Sequence, residues 1–324
     1  VRNASPLIVG LSDIGNFIAS DIPAVLAHTR RVLQLADHEL VRLTRDSAEV
    51  FDQTGRPVEK QAITVDWDVT SAEKGGYDHF MIKEILEQPQ ALSATISPRI
   101  DADGGIVLDG IHLTAAQLRK INRLFIVACG SAYHAGVVGK YVIEKLARVP
   151  VEVDLASEFR YRDPIVDEKS LVIIISQSGE TADTLAALRE AKRRGARVLS
   201  VVNVVGSTIA NESDDVLYTW AGPEISVATT KAYSTQLTML YLIAFYIAHK
   251  LGRIDERDLR RLLSALVRLP DMVSGILRQA GELKQLAQRY AYLEHAYFIG
   301  RNLDYAVSLE ASLKLKEISY IHSE

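Results

Sequence analysis

The sequence predicts an α/β protein in which a parallel sheet with flanking helices follows a β-rich segment. Two observations carry this prediction. Between residues 118 and 221, continuous apolar runs alternate with helical patterns, and this alternation is typical of parallel strands covered by helices on both faces. Between residues 6 and 67, short strand-like runs follow one another instead, around a hairpin turn signal at Gln53-Thr54-Gly55.

The first part of the chain is expected to form strands and then a connector. Strand-like runs occupy residues 6–11, 32–44 and 48–67, and a short helix is possible within residues 16–29. The sequence pattern changes near Ser71, where glycine residues are followed by a helical pattern that Pro89 is expected to stop.

The next part of the chain supplies the strands and helices of the predicted parallel sheet. Helical patterns at residues 131–147 and 181–195 separate the strands, and Gly195 is expected to cap the second helix. A very apolar helix from Leu237 is interrupted by polar residues, so we expect it to be buried inside a domain. The predicted strands lie at residues 123–130, 149–156, 170–176, 196–203 and 215–221.

A weak repeat follows near the end of the sequence. From His295 the order of apolar strand, glycine, polar turn and helix matches the order found from Arg123. One partial copy predicts the beginning of a second α/β domain. The final residues, 312–324, continue a helical pattern, and we expect the chain to be a piece of a longer protein.

Composition narrows the classes of function. The 324 residues, of which 48% are hydrophobic and 24% charged, are enough for more than one core. A net charge of −4 gives no basic field for nucleic acid, and the basic cluster at residues 192–194 fits the exposed last turn of a helix. No apolar stretch reaches about 18 residues, so we expect no membrane span.

A single cysteine, Cys129, excludes an intrachain disulfide and a thiolate metal cluster. We therefore expect a cytoplasmic protein without a metal ion or cofactor. Because Cys129 stands at a strand end within an apolar run, the role expected for it is that of a small buried thiol.

The segment SQSGETADT, residues 176–184, carries the first functional signal. It stands where a predicted buried strand ends and a predicted helix begins, so the free N–H groups and the positive dipole end of that helix face the loop. Ser176, Ser178 and Thr181 add hydroxyl groups, Gln177 adds an amide, and Gly179 allows a close approach of the backbone. The segment predicts an anion site of about the size of a phosphate.

The alternative interpretation is that these residues only cap the helix. The segment contains no Lys or Arg, and the chain has no nucleotide-binding glycine motif, since His134 occupies the position where AGVVGK would need its first glycine. A monophosphate is therefore the better candidate ligand. A few charge-assisted hydrogen bonds correspond to an affinity on the order of micromolar to millimolar, the range of a metabolite.

Five motifs in order resemble the glucosamine-6-phosphate synthase family, whose synthase half consists of two sugar isomerase (SIS) domains. The likeness runs through the whole chain. The motifs are CGSAYHAG at 129–136, ASEFRYR at 156–162, SQSGETADTL at 176–185, EISVATTKAYSTQL at 224–237 and LEASLKLKEISYIH at 309–322.

The resemblance implies a division of the chain. It gives residues 1–72 as the C-terminal part of a glutaminase domain and residues 73–114 as an interdomain connector. It further gives residues 115–255 as the first SIS domain, residues 256–286 as a helical linker and residues 287–324 as the start of a second SIS domain. The family's glutaminase nucleophile is an N-terminal cysteine, and Cys129 does not match it.

The resemblance also assigns a substrate site. Ser131 and Val227 would face the sugar, the latter through its backbone. Where the family often has a second hydroxyl, this chain has Ala132, so one expected phosphate contact is missing. The residues that would hold the 6-phosphate are Ser176, Gln177, Ser178 and Thr181.

Glu317 would be the general base that moves a proton between C1 and C2 of the sugar. Lys314 is three residues away and shares its helix face, so it would tune or assist this base, while a surface ion pair is the plainer alternative. Lys231 is open as either a phosphate ligand or a surface or helix-capping lysine. The family's ring-opening histidine does not match His322, and we expect this stretch alone to be catalytically incomplete.

The resemblance implies glutamine-dependent conversion of fructose 6-phosphate to glucosamine 6-phosphate, with ammonia passed between domains, by a homodimer or higher homo-oligomer. Two alternatives remain open: a sugar-phosphate sensor without catalysis, and a sugar-phosphate isomerase without amination. The β-rich segment at residues 1–72 and Glu317 favour the aminating enzyme, because a sensor needs neither and an isomerase does not need the first.

Overall fold

The computed structural model describes residues 1–3, 6–20, 22–26, 28–65 and 74–324, with only the backbone for Pro23. The described chain forms two compact units, Val1–Phe80 and Met81–Glu324. The change of sequence pattern near Ser71 lies outside the described residues.

The first unit is made of two small antiparallel sheets. One has the order β2-β1-β3-β7 and the other the order β4-β5-β6. Short apolar clusters pack beside them, one around Val9 and Leu33 and one around Val25 and Val32. The elements are β1 (Ile8–Leu11), β2 (Phe17–Ala19), α1 (Pro23–Leu26), β3 (Arg31–Gln34), β4 (Leu40–Leu43), β5 (Ala48–Phe51), β6 (Pro57–Val58) and β7 (Ile63–Thr64).

The sequence predicts most of this unit. The hairpin turn at residues 53–55 is confirmed, with Gly55 at φ +81° and the Asp52 N–H donating to the Arg56 carbonyl at 2.9 Å. The helix predicted within residues 16–29 is only partly right. Its first residues form β2, which pairs with β1, because Phe17 and Ile18 belong to an alternating β pattern that tertiary pairing extends.

The second unit begins with two short helices, α2 (Phe80–Leu86) and α3 (Gln88–Ile96). The prediction that Pro89 stops the helix is only partly right: α2 ends at Leu86, before the proline, but Pro89 lies in the first turn of a new helix, α3. A proline is tolerated there, since the N–H that it lacks has no intrahelical acceptor at that position. A 3₁₀ turn, Ser97–Arg99, follows, and then the short helix α4 (Ala115–Leu118).

A five-stranded parallel sheet forms the centre of the second unit, with the order β12-β11-β10-β8-β9. The strands and helices match the predicted alternation, and Gly195 ends α7 at φ +86°. The elements are β8 (Arg123–Ala128), α5 (Gly130–Ala147), β9 (Val151–Leu155), α6 (Ala156–Phe159), β10 (Ser170–Ser176), α7 (Ala182–Arg193), β11 (Arg197–Val202), α8 (Thr208–Glu212), β12 (Asp215–Tyr218) and α9 (Lys231–Lys250).

Alternate residues of the strands face two separate cores. Ile126, Ile173 and Leu199 pack with α5 and α9 on one face of the sheet. Phe125 and Ile174 pack with α6, α7 and α8 on the other. Because both faces are covered, every residue of β10 is buried, which explains why its sequence is a continuous apolar run.

The apolar helix predicted from Leu237 lies within α9 and is buried against the sheet and α5. It is covered by protein along most of its length. None of the helices in the described ranges combines sufficient length with sufficient hydrophobicity to span a membrane.

The C-terminal part contains α10 (Glu256–Val267), α11 (Leu269–Leu277), α12 (Ala280–Tyr290), β13 (His295–Ala296), α13 (Leu303–Ser319) and β14 (His322–Ser323). Strands β13 and β14 are parallel, which agrees with the predicted strand and helix after His295. The prediction that the final residues continue a helix is wrong. Helix α13 ends at Ser319, and Tyr320 adopts a left-handed φ of +59° as its C-cap, so the chain turns back to pair with β13.

Candidate functional site

The candidate site lies where the strand order of the sheet reverses. From β8 the chain passes through α5 to β9 on one side, and it then crosses to β10 on the other side. In such sheets, ligands bind in the crevice at the carboxyl ends of the two strands flanking this switch point. A cavity of about 260 Å³ occupies that place. Its lining residues are Cys129, Gly130, Ser131, Ala132, Ile175, Ser176, Gln177, Ser178, Thr181, Thr184, Val227, Thr229, Gln236, Lys314 and Glu317.

The structure brings together all eight side chains singled out from the sequence. Four lie in the turn after β10, one at the start of α5, one in the loop before α9 and two on α13. They are Ser131, Ser176, Gln177, Ser178, Thr181, Val227, Lys314 and Glu317.

The turn after β10 surrounds one end of the cavity with neutral polar groups. The Ser176 hydroxyl accepts a hydrogen bond from the Gly179 N–H at 3.0 Å and lies 3.1 Å from the Thr181 hydroxyl. Thr181 is the N-cap residue of α7, yet its side chain makes no capping hydrogen bond. Thr181 lines the cavity, and its hydroxyl pairs with that of Ser176 instead of capping α7, which argues against a purely capping role.

Gly179 shapes this turn. Its φ is +66°, and a Cβ at this position would lie 2.0 Å from the Ser207 hydroxyl. The carboxylate of Glu180 accepts hydrogen bonds from the N–H and hydroxyl of Thr208 at 2.6 and 2.9 Å, so the one acidic side chain of the turn is bound to α8. An anion in the cavity would thus meet no carboxylate from this segment.

The turn after β8 forms the adjoining wall. Gly130 has a φ of +56° and opens α5. The prediction of a buried Cys129 thiol is only partly right, because Cys129 is half-buried and lines the cavity. It lies directly beyond β8, and the Thr184 hydroxyl lies 3.8 Å from its sulfur. The strand ends just before Cys129, which packs against the edge of the core and also lines the crevice.

Helix α13 brings charge to the opposite end of the cavity. Lys314 forms an ion pair with Glu317 and lies 3.6 Å from Glu310. The two residues form an ion pair, as the plainer interpretation expects, and both line the cavity, while the role of Glu317 as a base stays a prediction. The Glu317 carboxylate is 40% exposed and the Lys314 side chain 19%.

Glu310 is a buried carboxylate behind this pair and was not found from the sequence. It is 5% exposed, accepts a hydrogen bond from the Ser131 hydroxyl at 2.7 Å, and lies 2.8 Å from the His134 Nδ1. It thereby joins α13 to the first turns of α5. Burial, and next the charge of Glu310, raise the pKa of the neighbouring Tyr233 phenol.

The loop at residues 224–230 brings Val227 to the cavity mouth, where its side chain is fully exposed. Lys231 follows this loop, and neither interpretation of it is right. It does not line the cavity and it is not at the surface: it is 2% exposed and binds Glu87 at 2.7 Å. A buried lysine requires a charged partner of this kind. Because Glu87 lies in a distant part of the chain, the sequence around Lys231 does not reveal this partner.

Gln236 is the clearest residue that sequence reasoning missed. It lies in α9, is 3% exposed, lines the cavity, and its Oε1 has no hydrogen-bond partner among the described residues. Thr184 and Thr229 also reach the cavity. The available signal for Gln236 was a lone amide within the apolar pattern of α9, where an unpartnered polar group is costly unless something binds it.

These groups suit a small polyhydroxylated anion. The cavity lining offers several hydroxyl groups, a buried amide oxygen that has no hydrogen-bond partner among the described residues, and an ammonium and a carboxylate. Within residues 1–3, 6–20, 22–26, 28–65 and 74–324, no group of three or more His, Cys, Asp or Glu residues is arranged to hold a metal ion.

Comparisons with known proteins agree with this site. Residues 117–246 match the SIS domain family. Over its whole length the chain is 56% identical to a glutamine–fructose-6-phosphate aminotransferase (isomerizing) of Clostridium tetani. It is 58% identical over 323 residues to the protein of the same name in Caldanaerobacter subterraneus. The chain spans about half the length of these relatives, 53% of each.

A solved structure extends the likeness to three dimensions. The C-terminal domain of glucosamine-fructose-6-phosphate aminotransferase from Francisella tularensis superimposes with a TM-score of 0.74 at 43% identity, covering 78% of this chain and 70% of that one. Identity at this level over most of both chains indicates common descent. The chain belongs to the glutamine–fructose-6-phosphate aminotransferase family, also called the glucosamine-6-phosphate synthase family.

Proposed function

We propose that this chain forms the sugar-phosphate site of an enzyme that converts fructose 6-phosphate and glutamine to glucosamine 6-phosphate and glutamate. The observation that carries the proposal is the joining of a neutral anion-binding turn and a carboxylate in one cavity. The names of the relatives support the same reaction.

The phosphate is proposed to bind in the turn after β10. Ser176, Gln177, Ser178 and Thr181 would donate to its oxygens together with the first N–H groups of α7. Ser131 occupies the adjoining wall, where Ala132 supplies no further hydroxyl. The absence of a carboxylate from this end supports binding of a doubly charged group.

The proton transfer is proposed to use Glu317. Ammonia released from glutamine adds to C2 of the open ketose with loss of water and forms an imine. Glu317 would then take a proton from C1 and return one to C2, while the proton of the C1 hydroxyl passes to the imine nitrogen, leaving an amine at C2 and an aldehyde at C1. Lys314, paired with Glu317, would hold the carboxylate in place, while Val227 would present backbone groups to the sugar.

The remaining assignments follow the same proposal. Residues 1–72 would be the end of a glutaminase domain, 73–114 a connector, 115–255 the first SIS domain, 256–286 a linker and 287–324 the start of a second SIS domain. The enzyme would act in the cytoplasm as a homodimer or higher homo-oligomer, and it would start amino-sugar synthesis without a cofactor.

The test is glutamine-dependent formation of glucosamine 6-phosphate by the full-length protein that contains this chain, compared with its Glu317→Gln variant. We expect synthesis by the wild type and a large loss in the variant. Synthesis by the variant at the wild-type rate would remove Glu317 as the base. Conversion of fructose 6-phosphate to glucose 6-phosphate with no use of glutamine would favour the isomerase alternative, and binding without turnover would favour the sensor.

A further inference from the structure

Glu84 is a buried carboxylate outside the cavity. It lies on α2, is 2% exposed, and burial is the main cause that raises its pKa above the ordinary value for glutamate. Such a group is costly to bury unless it is hydrogen-bonded to something specific. The hydrogen-bond partners of Glu84 should therefore indicate what this buried carboxylate does.

Those partners belong to the loop that reaches the cavity. The Ile225 N–H donates to Glu84 Oε1 at 2.6 Å, and the Ser226 N–H donates to the same oxygen at 3.1 Å. These residues directly precede Val227, which lines the cavity. The second oxygen of Glu84 has no hydrogen-bond partner among the described residues, so the loop accounts for the hydrogen bonds of this carboxylate.

Two neighbouring contacts extend the same attachment. The Glu87 carboxylate binds Lys231 at 2.7 Å, and Gln88 Oε1 accepts a hydrogen bond from the Ser234 hydroxyl. Glu87 and Gln88 follow Glu84 by three and four residues, so the three side chains share one side of α2 and the start of α3. The short helices before the parallel sheet thereby hold both the loop and the first turn of α9.

We propose that Glu84 is a positioning residue, which fixes the loop at residues 224–230 so that the backbone around Val227 faces the sugar. The inference rests on the proposed function, because that function assigns the sugar end of the cavity to this loop. Glu84 does not line the cavity and therefore acts through the loop. The hydrogen bonds of Glu84 among the described residues go to this loop and not to the turn after β10, so we expect binding of the phosphate group alone to be independent of Glu84.

The experiment measures binding to the full-length protein by titration calorimetry with two probes, fructose 6-phosphate and inorganic phosphate. For Glu84→Ala we expect the Kd for fructose 6-phosphate to rise roughly tenfold and the Kd for inorganic phosphate to stay within about twofold. For Glu84→Gln we expect a Kd for fructose 6-phosphate within about threefold of wild type, because the amide oxygen still accepts both N–H groups.

Glu144→Ala is the matched control. Glu144 Oε1 accepts a hydrogen bond from the Val151 N–H at 3.0 Å, so this variant also removes a carboxylate that holds backbone, away from the cavity. It is expected to bind both probes as wild type does. Thermal unfolding checks that each variant is folded, and Glu84→Asp replaces Glu84→Ala if that variant does not fold, since it shortens the reach by one methylene.

Unchanged affinity of Glu84→Ala for fructose 6-phosphate would overturn the positioning role. Equal weakening of both probes would also overturn it, because it would show a general structural effect. Failure of the wild type to bind fructose 6-phosphate would instead count against the proposed function itself, so the two failures are distinguishable.

Discussion

The two ends of the cavity are built in different ways. The turn after β10 draws its polar groups from one continuous stretch, residues 176–181, and uses neutral hydroxyl, amide and N–H groups. The opposite end draws its charge from α13, where Lys314 and Glu317 lie more than a hundred residues along the chain from that turn. The residues of the proposed anion site are thus adjacent in the sequence, while the proposed acid–base pair is brought to the cavity by the packing of distant elements.

This difference explains which features of the fold and of the site could be predicted from the sequence and which could not. The alternation of apolar strands and helices predicted the sheet, and a strand ending in hydroxyls before a helix predicted an anion site, because both are short-range patterns. Glu317 was singled out through a family resemblance, since a Lys and Glu three residues apart on a helix also fit a surface ion pair. Glu310, Gln236 and the true setting of Lys231 depend on contacts with distant helices and were missed.

The largest effect should come from Glu317→Gln. If Glu317 is the base, kcat for glucosamine 6-phosphate formation should fall by about 10²- to 10⁴-fold, while the KM for fructose 6-phosphate changes little, because the phosphate binds at the other end. Steady-state kinetics of the full-length protein check this. Glu282→Gln, on exposed α12, is the control. A rise in KM with an unchanged kcat would contradict the proposal that Glu317 serves proton transfer and not phosphate binding.

A smaller effect is expected at the phosphate end. The double variant Ser176→Ala and Thr181→Ala should raise the KM for fructose 6-phosphate by roughly 5- to 150-fold, since each of the two lost hydrogen bonds contributes a net of about 0.5 to 1.5 kcal/mol. The kcat at saturation should change by less than about threefold. An unchanged KM would leave only a capping role for these hydroxyls.

Glu310→Gln tests the link between α13 and α5. The amide keeps the volume but loses the negative charge that faces Ser131, His134 and Lys314. We expect the unfolding free energy to fall by about 1 to 3 kcal/mol, as measured by urea denaturation. We expect kcat to fall more than KM rises, because Lys314 and Glu317 lie on the same helix. Rescue of kcat by Glu310→Asp would support a role of the charge, whereas an unchanged kcat in Glu310→Gln together with a loss in Glu310→Asp would point to shape alone.

The smallest effect concerns pH and lies outside both ends. A hydrogen bond from Arg193, followed by one from Arg194, lowers the pKa of Glu190 from 4.5 to about 2. A carboxylate with a lowered pKa in the folded state stabilises the protein above pH 4.5, and this contribution is lost as the pH falls toward 2.

Thermal unfolding of the wild type and Glu190→Gln should therefore differ most near neutral pH and converge at acidic pH. Affinity for fructose 6-phosphate at neutral pH should be the same in both proteins, since Glu190 lies in the last turn of α7, away from the cavity. A gap in melting temperature that widens on acidification would contradict the assignment of the ion pairs.

The complete burial of β10 has a consequence for how substrate enters. A strand enclosed by helices on both faces opens only when the domain as a whole unfolds, so the amide protons of β10 should exchange among the most slowly. The turn at its end inherits that rigidity and is a poor candidate for a gate. We therefore expect any movement that opens the cavity to come from α13, since the turn is tied to the central strand and the loop around Val227 is held by Glu84.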